Sequence, residues 1–266
     1  MDLRIQGRKA LVTGADSGIG FATTQQLLAE GVSVVMTDID QPTLDAAAAK
    51  MDAKEGQLHA FAADITSTTA VHELKRRVAD AIGEIDILVQ AAGIHGPDGL
   101  FHDISEEGWQ HTLDVNLMGH VRVLQAFLSD LRNGGWGRLV FVSSEDAVQP
   151  YDDELPYCAT KAALLSVARG LSRTYAHEGL LVNTVSPAFI ATPMTDEMMD
   201  KLAEQRSISR DDAIQSFLRE ERPFMELGRR GEPDEVAAVI TFLCSDRASF
   251  VNGANYRVDS GAVATI

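Results

Sequence analysis

Short apolar runs alternate with stretches of helical periodicity along nearly the whole chain. The runs are KALVTG (9–14), SVVMTD (33–38), LHAFAAD (58–64), IDILVQAAG (85–93), RLVFVSS (138–144), LLVNTVSP (180–187) and GANYRVD (253–259). Their nearly continuous apolar character fits strands buried on both faces. Between them, helices are expected near 18–30, 41–53, 67–82, 105–133, 156–178 and 233–245. Strands alternating with helices imply βαβ units and an α/β fold, a doubly wound parallel sheet of about seven strands with helices on both faces. No repeat, low-complexity tract or Gly/Ser linker divides residues 1–266, so a single domain is expected. The long interruption is at 189–226, where FIATPMTDEMMDKL and DDAIQSFLREERPFM carry the spacing of short amphipathic helices. An insertion of that length between a strand and the next core helix reads as a lid or as a packed surface excursion.

Charge removes several classes of partner. With 266 residues and a net charge of -16, the chain lacks the basic stripe that a nucleic acid or an anionic membrane needs. Cys158 and Cys244 are far apart and in no CxxC pattern, so neither a disulfide framework nor a cysteine-rich zinc site is expected. His59 and His177 form no ligand pattern, and no metal is assigned. The N-terminus lacks a signal-peptide pattern and no run is long enough to span a membrane, which points to the cytoplasm.

Three constellations carry chemistry. Gly14, Gly18 and Gly20 punctuate a turn between the first strand and the first helix. There, backbone can approach a pyrophosphate and helix N–H groups can meet its charge. Asp38 closes the second strand, where a carboxylate can hold ribose hydroxyls and repel a 2′-phosphate. No Lys or Arg lies between Gly20 and Asp38, so NAD is expected rather than NADP. Tyr157 and Lys161 lie four residues apart, on one face of a helix, where an ammonium group favours ionisation of the phenol. Asp40 reads as a helix-start residue.

With TGADSGIG (13–20), AAG (91–93), Asn116, VSS (142–144), YCATK (157–161) and SPAFIATPM (186–194), the chain resembles the short-chain dehydrogenase/reductase family over essentially its full length. The resemblance implies a Rossmann-like domain that transfers a hydride between NAD(H) and a secondary alcohol or ketone. It implies a catalytic set of Asn116, Ser144, Tyr157 and Lys161, with Ser143 structural. It places Gly14, Ser17, Gly18, Ile19, Gly20, Asp38, Asp64, Ile65, Ala92, Gly93, Tyr157, Lys161, Pro187, Ile190 and Thr192 at the cofactor. Tyr157 would exchange the hydroxyl proton, Ser144 would hydrogen-bond the substrate oxygen, and Lys161 would hold the nicotinamide ribose. Asn116 would support a water path behind Lys161 or kink its helix, and Asp64 would stand near the adenine or cap the next helix. Homotetramer formation is implied through 105–133, 156–178 and the segment after Gly253.

Three departures from the family pattern are Gln90 in place of asparagine, Ala188 after Pro187, and Ser260 in VDSG. His95 reads as a solvated loop histidine rather than a substrate contact, and Glu145, Asp146, Asp152, Asp153 and Glu154 as a solvated acidic loop. Met194, Met198, Met199, Phe217 and Phe224 read as an adaptable pocket lining or as packing. Two other functions stay open: reduction of 3-oxoacyl thioesters, and NAD sensing without turnover.

Overall fold

The computed structural model describes residues 1–265. Seven parallel strands, β1 (Lys9–Thr13), β2 (Ser33–Thr37), β3 (Leu58–Ala60), β4 (Ile87–Gln90), β5 (Gly137–Val142), β6 (Leu180–Pro187) and β7 (Asn255–Val258), stand in the order β3-β2-β1-β4-β5-β6-β7. All seven expected strands form, but 58–64, 85–93 and 253–259 are each longer than the strand they contain. The surplus residues leave the sheet as loops, and those after β3 and β4 help to line the site.

Both faces of the sheet are buried, as the unbroken apolar runs require. Along β2, Val34 and Met36 enter one core with Leu27 and Ile240, whereas Val35 enters the other with Leu11, Phe127 and Leu164. This is the period-2 alternation of a strand, read here with both faces apolar. On the first face lie α1 (Gly18–Ala29), α2 (Gln41–Ala48) and α9 (Pro233–Leu243); on the second lie α3 (Thr68–Ile82), α5 (His120–Arg132) and α6 (Leu155–Tyr175). Asp40 caps α2, its carboxylate accepting from Thr43 N–H at 2.9 Å. The chain winds outward from β1 to β3 and then back across to β4, so the loops after β1 and β4 diverge and leave a crevice between them.

The stretch 105–133 is not one helix. It comprises α4 (Glu106–Leu113), a π-helical turn at Asp114–Gly119, and α5. Asn116 sits in that turn with both ends of its amide tied to the Ile94 backbone, at 2.8 Å and 2.7 Å. Single π-helical turns between α-helical stretches are frequent at functional sites. Residues 189–226 hold α7 (Pro193–Arg206) and α8 (Arg210–Glu220), which pack together over a small core of Phe189, Met199, Phe217, Leu218 and Met225. Ser260, at a position where the family pattern has glycine, takes a φ of 55° and accepts a hydrogen bond from Leu227 N–H at 2.8 Å. Among the described residues, no helix is long and apolar enough to cross a membrane.

Candidate active site

At the C-terminal ends of β1, β2, β4, β5 and β6 lies a cleft of about 460 Å³. Each of the fifteen residues expected at the cofactor lines it, as does Ser144. Asn116 does not line it. It is fully buried behind Gly93, and a Cβ added at that glycine would lie 3.3 Å from Asn116 Oδ1 and 3.6 Å from Lys161 Nζ.

The glycine turn is built for a close approach. Gly14 and Gly18 have φ of 65° and 52°, in the region glycine adopts without strain. A Cβ on Gly20 would stand 2.0 Å from the Gly14 carbonyl oxygen. The Ser17 side chain makes no cap hydrogen bond, and no acidic residue occupies the first turn of α1, so its end presents free N–H donors. These features fit a dinucleotide pyrophosphate. Gly20→Ala is expected to cost about 1–3 kcal/mol by overpacking and to abolish the rise in melting temperature expected from a bound nicotinamide dinucleotide, both read by thermal unfolding with and without cofactor.

At the far end of the cleft, Asp38 and Asp16 stand together. Burial raises the Asp38 carboxyl above its usual range, the Ile39 N–H opposes this, and the Asp16 charge adds to it. Asp16 went unnoticed in the sequence because it lies among the turn residues of GADSG. Among the described residues lining the cleft, Lys161 is the only lysine or arginine. Asp64 does not cap α3, a role taken by Ser67; it accepts from Thr66 N–H at 2.8 Å and closes a tight turn at the cleft wall. Thr192 caps α7 and packs opposite Gly18, where an added Cβ would lie 3.1 Å from its methyl carbon.

Ser144, Tyr157 and Lys161 meet at the other end of the cleft. β5 ends at Val142 and delivers the two serines, while α6 begins at Leu155 and presents Tyr157 and Lys161 one turn apart. Ser143 is structural as expected, donating to the Lys161 carbonyl at 2.9 Å. Lys161 Nζ lies 5.3 Å from the Tyr157 ring centre and donates to the Val142 carbonyl at 3.0 Å. Burial pulls the Lys161 ammonium down to about 8, while the Asp146 charge opposes that shift. The protein's own groups do not lower the Tyr157 phenol, contrary to the expectation from the Tyr/Lys spacing. Burial raises it above its ordinary value, the charges of Asp146 and Glu154 raise it further, and a hydrogen bond with Ser144 opposes them.

The segment read as a solvated acidic loop is solvated only in part. Glu145, Asp146 and Glu154 are buried, while Asp152 and Asp153 are exposed. Arg222, just after α8, turns inward to Glu145 at 2.9 Å and Glu154 at 3.4 Å, with its guanidinium 3.5 Å over the Tyr151 ring. Ionised carboxylates cannot leave water without a partner, so this one arginine gathers two of them. His95 is likewise not a free loop residue. It bonds Glu154 at 2.6 Å and Asp98 at 3.0 Å, and its ring stacks on Tyr157 with centroids 5.4 Å apart. Burial opposes its charge, but hydrogen bonds to Asp98 and Glu154 outweigh that and hold the imidazolium up to about 10.

These residues border a second cavity of about 650 Å³, which shares Gly93, Ile94 and Met194 with the cofactor cleft. Met194, Met198, Met199 and Phe217 line it; Phe224 does not, and is exposed. Gln90 has a partner that the sequence did not reveal. Its amide donates to the His120 carbonyl at 3.1 Å, and its oxygen lies 3.0 Å from His120 Nδ1, while Nε2 reaches the Ala92 carbonyl at 2.9 Å. Burial, with the Lys161 charge, pushes His120 down to about 3, so the ring is neutral and its single N–H serves either the Ala92 carbonyl or the Gln90 oxygen, not both.

The family model described as enoyl-(acyl carrier protein) reductase matches residues 14–263. A solved short chain dehydrogenase/reductase family protein is 32% identical, with a TM-score of 0.83 and full coverage of both chains. The chain belongs to the short-chain dehydrogenase/reductase family. The chain is also similar to several enzymes of named activity. The 3-oxoacyl-(acyl-carrier-protein) reductase of Thermotoga maritima is 33% identical over 98% of this chain and 100% of its own. D-threitol dehydrogenase of Mycolicibacterium smegmatis is 32% identical over 98% and 94%. The L-sorbose reductase of Gluconobacter frateurii, solved with NADPH and L-sorbose, is 30% identical with a TM-score of 0.92 and full coverage of both chains. As a short-chain dehydrogenase/reductase, the protein is a nicotinamide-dependent oxidoreductase.

Proposed function

We propose that this family member is an NAD-dependent dehydrogenase that interconverts a small secondary alcohol and its ketone in the cytoplasm. The observation that carries the reading is the meeting of Ser144, Tyr157 and Lys161 in a cleft that shares Gly93, Ile94 and Met194 with the second cavity. When bound, the nicotinamide would supply or accept the hydride. Tyr157 would hand a proton to the ketone oxygen or take one from the alcohol, Ser144 would hydrogen-bond that oxygen, and Lys161 would hold the ribose from below. Asn116 would act behind them, by fixing Ile94 and the loop under Lys161. Residues 189–226 would close over the substrate as a lid on a single domain, with Met194 and Met198 lining it. The exposed Phe250 before edge strand β7 and the exposed Met118 on the π-helical turn support a homotetramer through those surfaces, to be read by light scattering.

The preference for NAD rests on Asp38, its neighbour Asp16 and the absence of a cation near them among the described cleft residues. A 2′-phosphate would meet two carboxylates there. With NAD+ and NADP+ tested across a panel of secondary alcohols, kcat/KM is expected to favour NAD+ by at least 10-fold, and Asp38→Ser to erode that preference by about 10-fold, the effect of roughly 1.4 kcal/mol. NADP+ preference in the wild type would overturn the cofactor assignment.

A second reading, reduction of 3-oxoacyl thioesters, is favoured by the likeness to the Thermotoga maritima reductase. The buried carboxylates beside Tyr157 speak against an anionic carrier, and the same assay run with a 3-oxoacyl thioester and NADH or NADPH separates the two. Tight NAD binding without turnover of any of these substrates would point to a cofactor sensor.

A further inference from the structure

Ser144 Oγ lies 2.7 Å from Asp146 Oδ2 and also accepts, weakly, from the Asp146 N–H at 3.4 Å. An ionised carboxylate only accepts, so the hydrogen in the shorter bond belongs to Ser144. The serine hydroxyl then has no hydrogen left for a substrate or for its other neighbour, the Tyr157 phenol, and can offer only a lone pair. Asp146 is 6% exposed, and its second oxygen, Oδ1, is buried with no partner. A proton on Oδ1 would meet no acceptor, so the neutral acid is best arranged with its hydrogen on Oδ2, donating to Ser144. That reversal frees the serine hydrogen to turn toward the substrate.

We propose that Asp146 sets the hydrogen-bond polarity of Ser144 and thereby decides whether the site favours the alcohol or the ketone. This rests on the dehydrogenase reading above. With Asp146 ionised, Ser144 accepts from an alcohol hydroxyl and Tyr157 donates to it; a ketone, which cannot donate, finds only one donor. With Asp146 neutral, the ketone oxygen finds two donors. Asp146 is a positioning residue: it acts on the substrate through Ser144.

The surroundings place this reversal in an accessible range. From α6, the Glu154 carboxylate, the Tyr157 phenol and the Lys161 ammonium face Asp146. From the β4–α4 loop comes the His95 imidazolium, and from beyond α8 the Arg222 guanidinium; Glu145 and Tyr151 lie on its own loop. Burial and the Glu154 charge raise the carboxyl to about 6, against the Ser144 bond and the two cations.

The test measures dissociation constants of two dead-end complexes between pH 5 and pH 8: cyclohexanol with the NADH-bound enzyme and cyclohexanone with the NAD+-bound enzyme. The ketone-to-alcohol ratio of dissociation constants is expected to rise about 3- to 10-fold as the pH increases, the effect of one hydrogen bond. Asp146→Asn does not titrate, and its amide N–H group, which would meet no acceptor at the Oδ1 position, turns to Ser144 as the neutral acid does, so the variant is expected to hold the ratio at its low-pH value throughout. Asp146→Ala, which frees the hydroxyl, is expected to hold it at the low-pH value. Glu145→Gln, which removes a neighbouring titrating acid that makes no bond to Ser144, should leave the pH dependence in place. A flat ratio in the wild type, or a shift that survives in Asp146→Asn, overturns the assignment. Failure of both ligands to bind, with cofactor binding intact, would remove the dehydrogenase reading and this proposal with it.

Discussion

Tyr157→Phe is expected to lower kcat for alcohol oxidation by about 10²–10⁴-fold, the usual contribution of a positioned proton donor or acceptor. The substitution removes one oxygen from a ring held by the His95 stack and the start of α6, so packing is retained. NAD+ affinity, followed by fluorescence titration, should change less than threefold, because the rest of the cleft is untouched. A loss of turnover accompanied by an equal loss of cofactor binding would argue that Tyr157 serves the cleft and not the chemistry. The phenol of the protein alone is raised by burial and by two carboxylates. The positive charge of an oxidised nicotinamide beside Lys161 would join the Ser144 hydrogen bond in favouring the phenolate, so alcohol oxidation should depend more steeply on alkaline pH than ketone reduction does.

Arg222→Leu is expected to destabilise the fold by about 3–5 kcal/mol, because it leaves buried Glu145 and Glu154 facing one another without their shared cation. The loss should depend on pH. Burial raises Glu145 from its ordinary value near 4.5 to about 7, and Arg222 opposes that rise. A carboxyl raised in the fold contributes stability that is complete below its unfolded value and is lost as the pH climbs through the folded one. Without the arginine the folded value climbs further, so the variant should lose more at pH 8 than at pH 5. Urea unfolding at both values measures this, and restoring neutrality with Glu145→Gln in the same chain should recover part of the loss. Equal destabilisation at the two pH values would mean that Arg222 serves by packing on Tyr151 and Phe217.

The glycine turn, Asp38 and the Tyr157/Lys161 pair were legible because each depends on a local rule, whereas Ser144 and the remaining cleft residues were expected from the family resemblance. A glycine is needed where Gly20 passes the Gly14 carbonyl, a carboxylate follows β2 at Asp38, and four residues of helix separate Tyr157 from Lys161. The π-helical turn was legible only as a possible kink at Asn116, since the Ile94 backbone that both ends of the Asn116 amide satisfy belongs to a different loop. Gln90 was visible as a departure, but its reason lies thirty positions away in His120.

By itself the sequence determined the alternation of buried strands and helices, the glycine turn after β1 and the one-turn spacing of Tyr157 and Lys161, because each is set by periodicity or spacing within a short stretch of chain. Only the tertiary structure decided the charge state around them. Glu145, Asp146, Glu154 and His95 all read as solvated in the chain, and folding gathers them with Arg222, from three separate segments, into one buried network beside Ser144 and Tyr157. Burial and partners set the ionisation of a side chain, and both are properties of distant segments brought together.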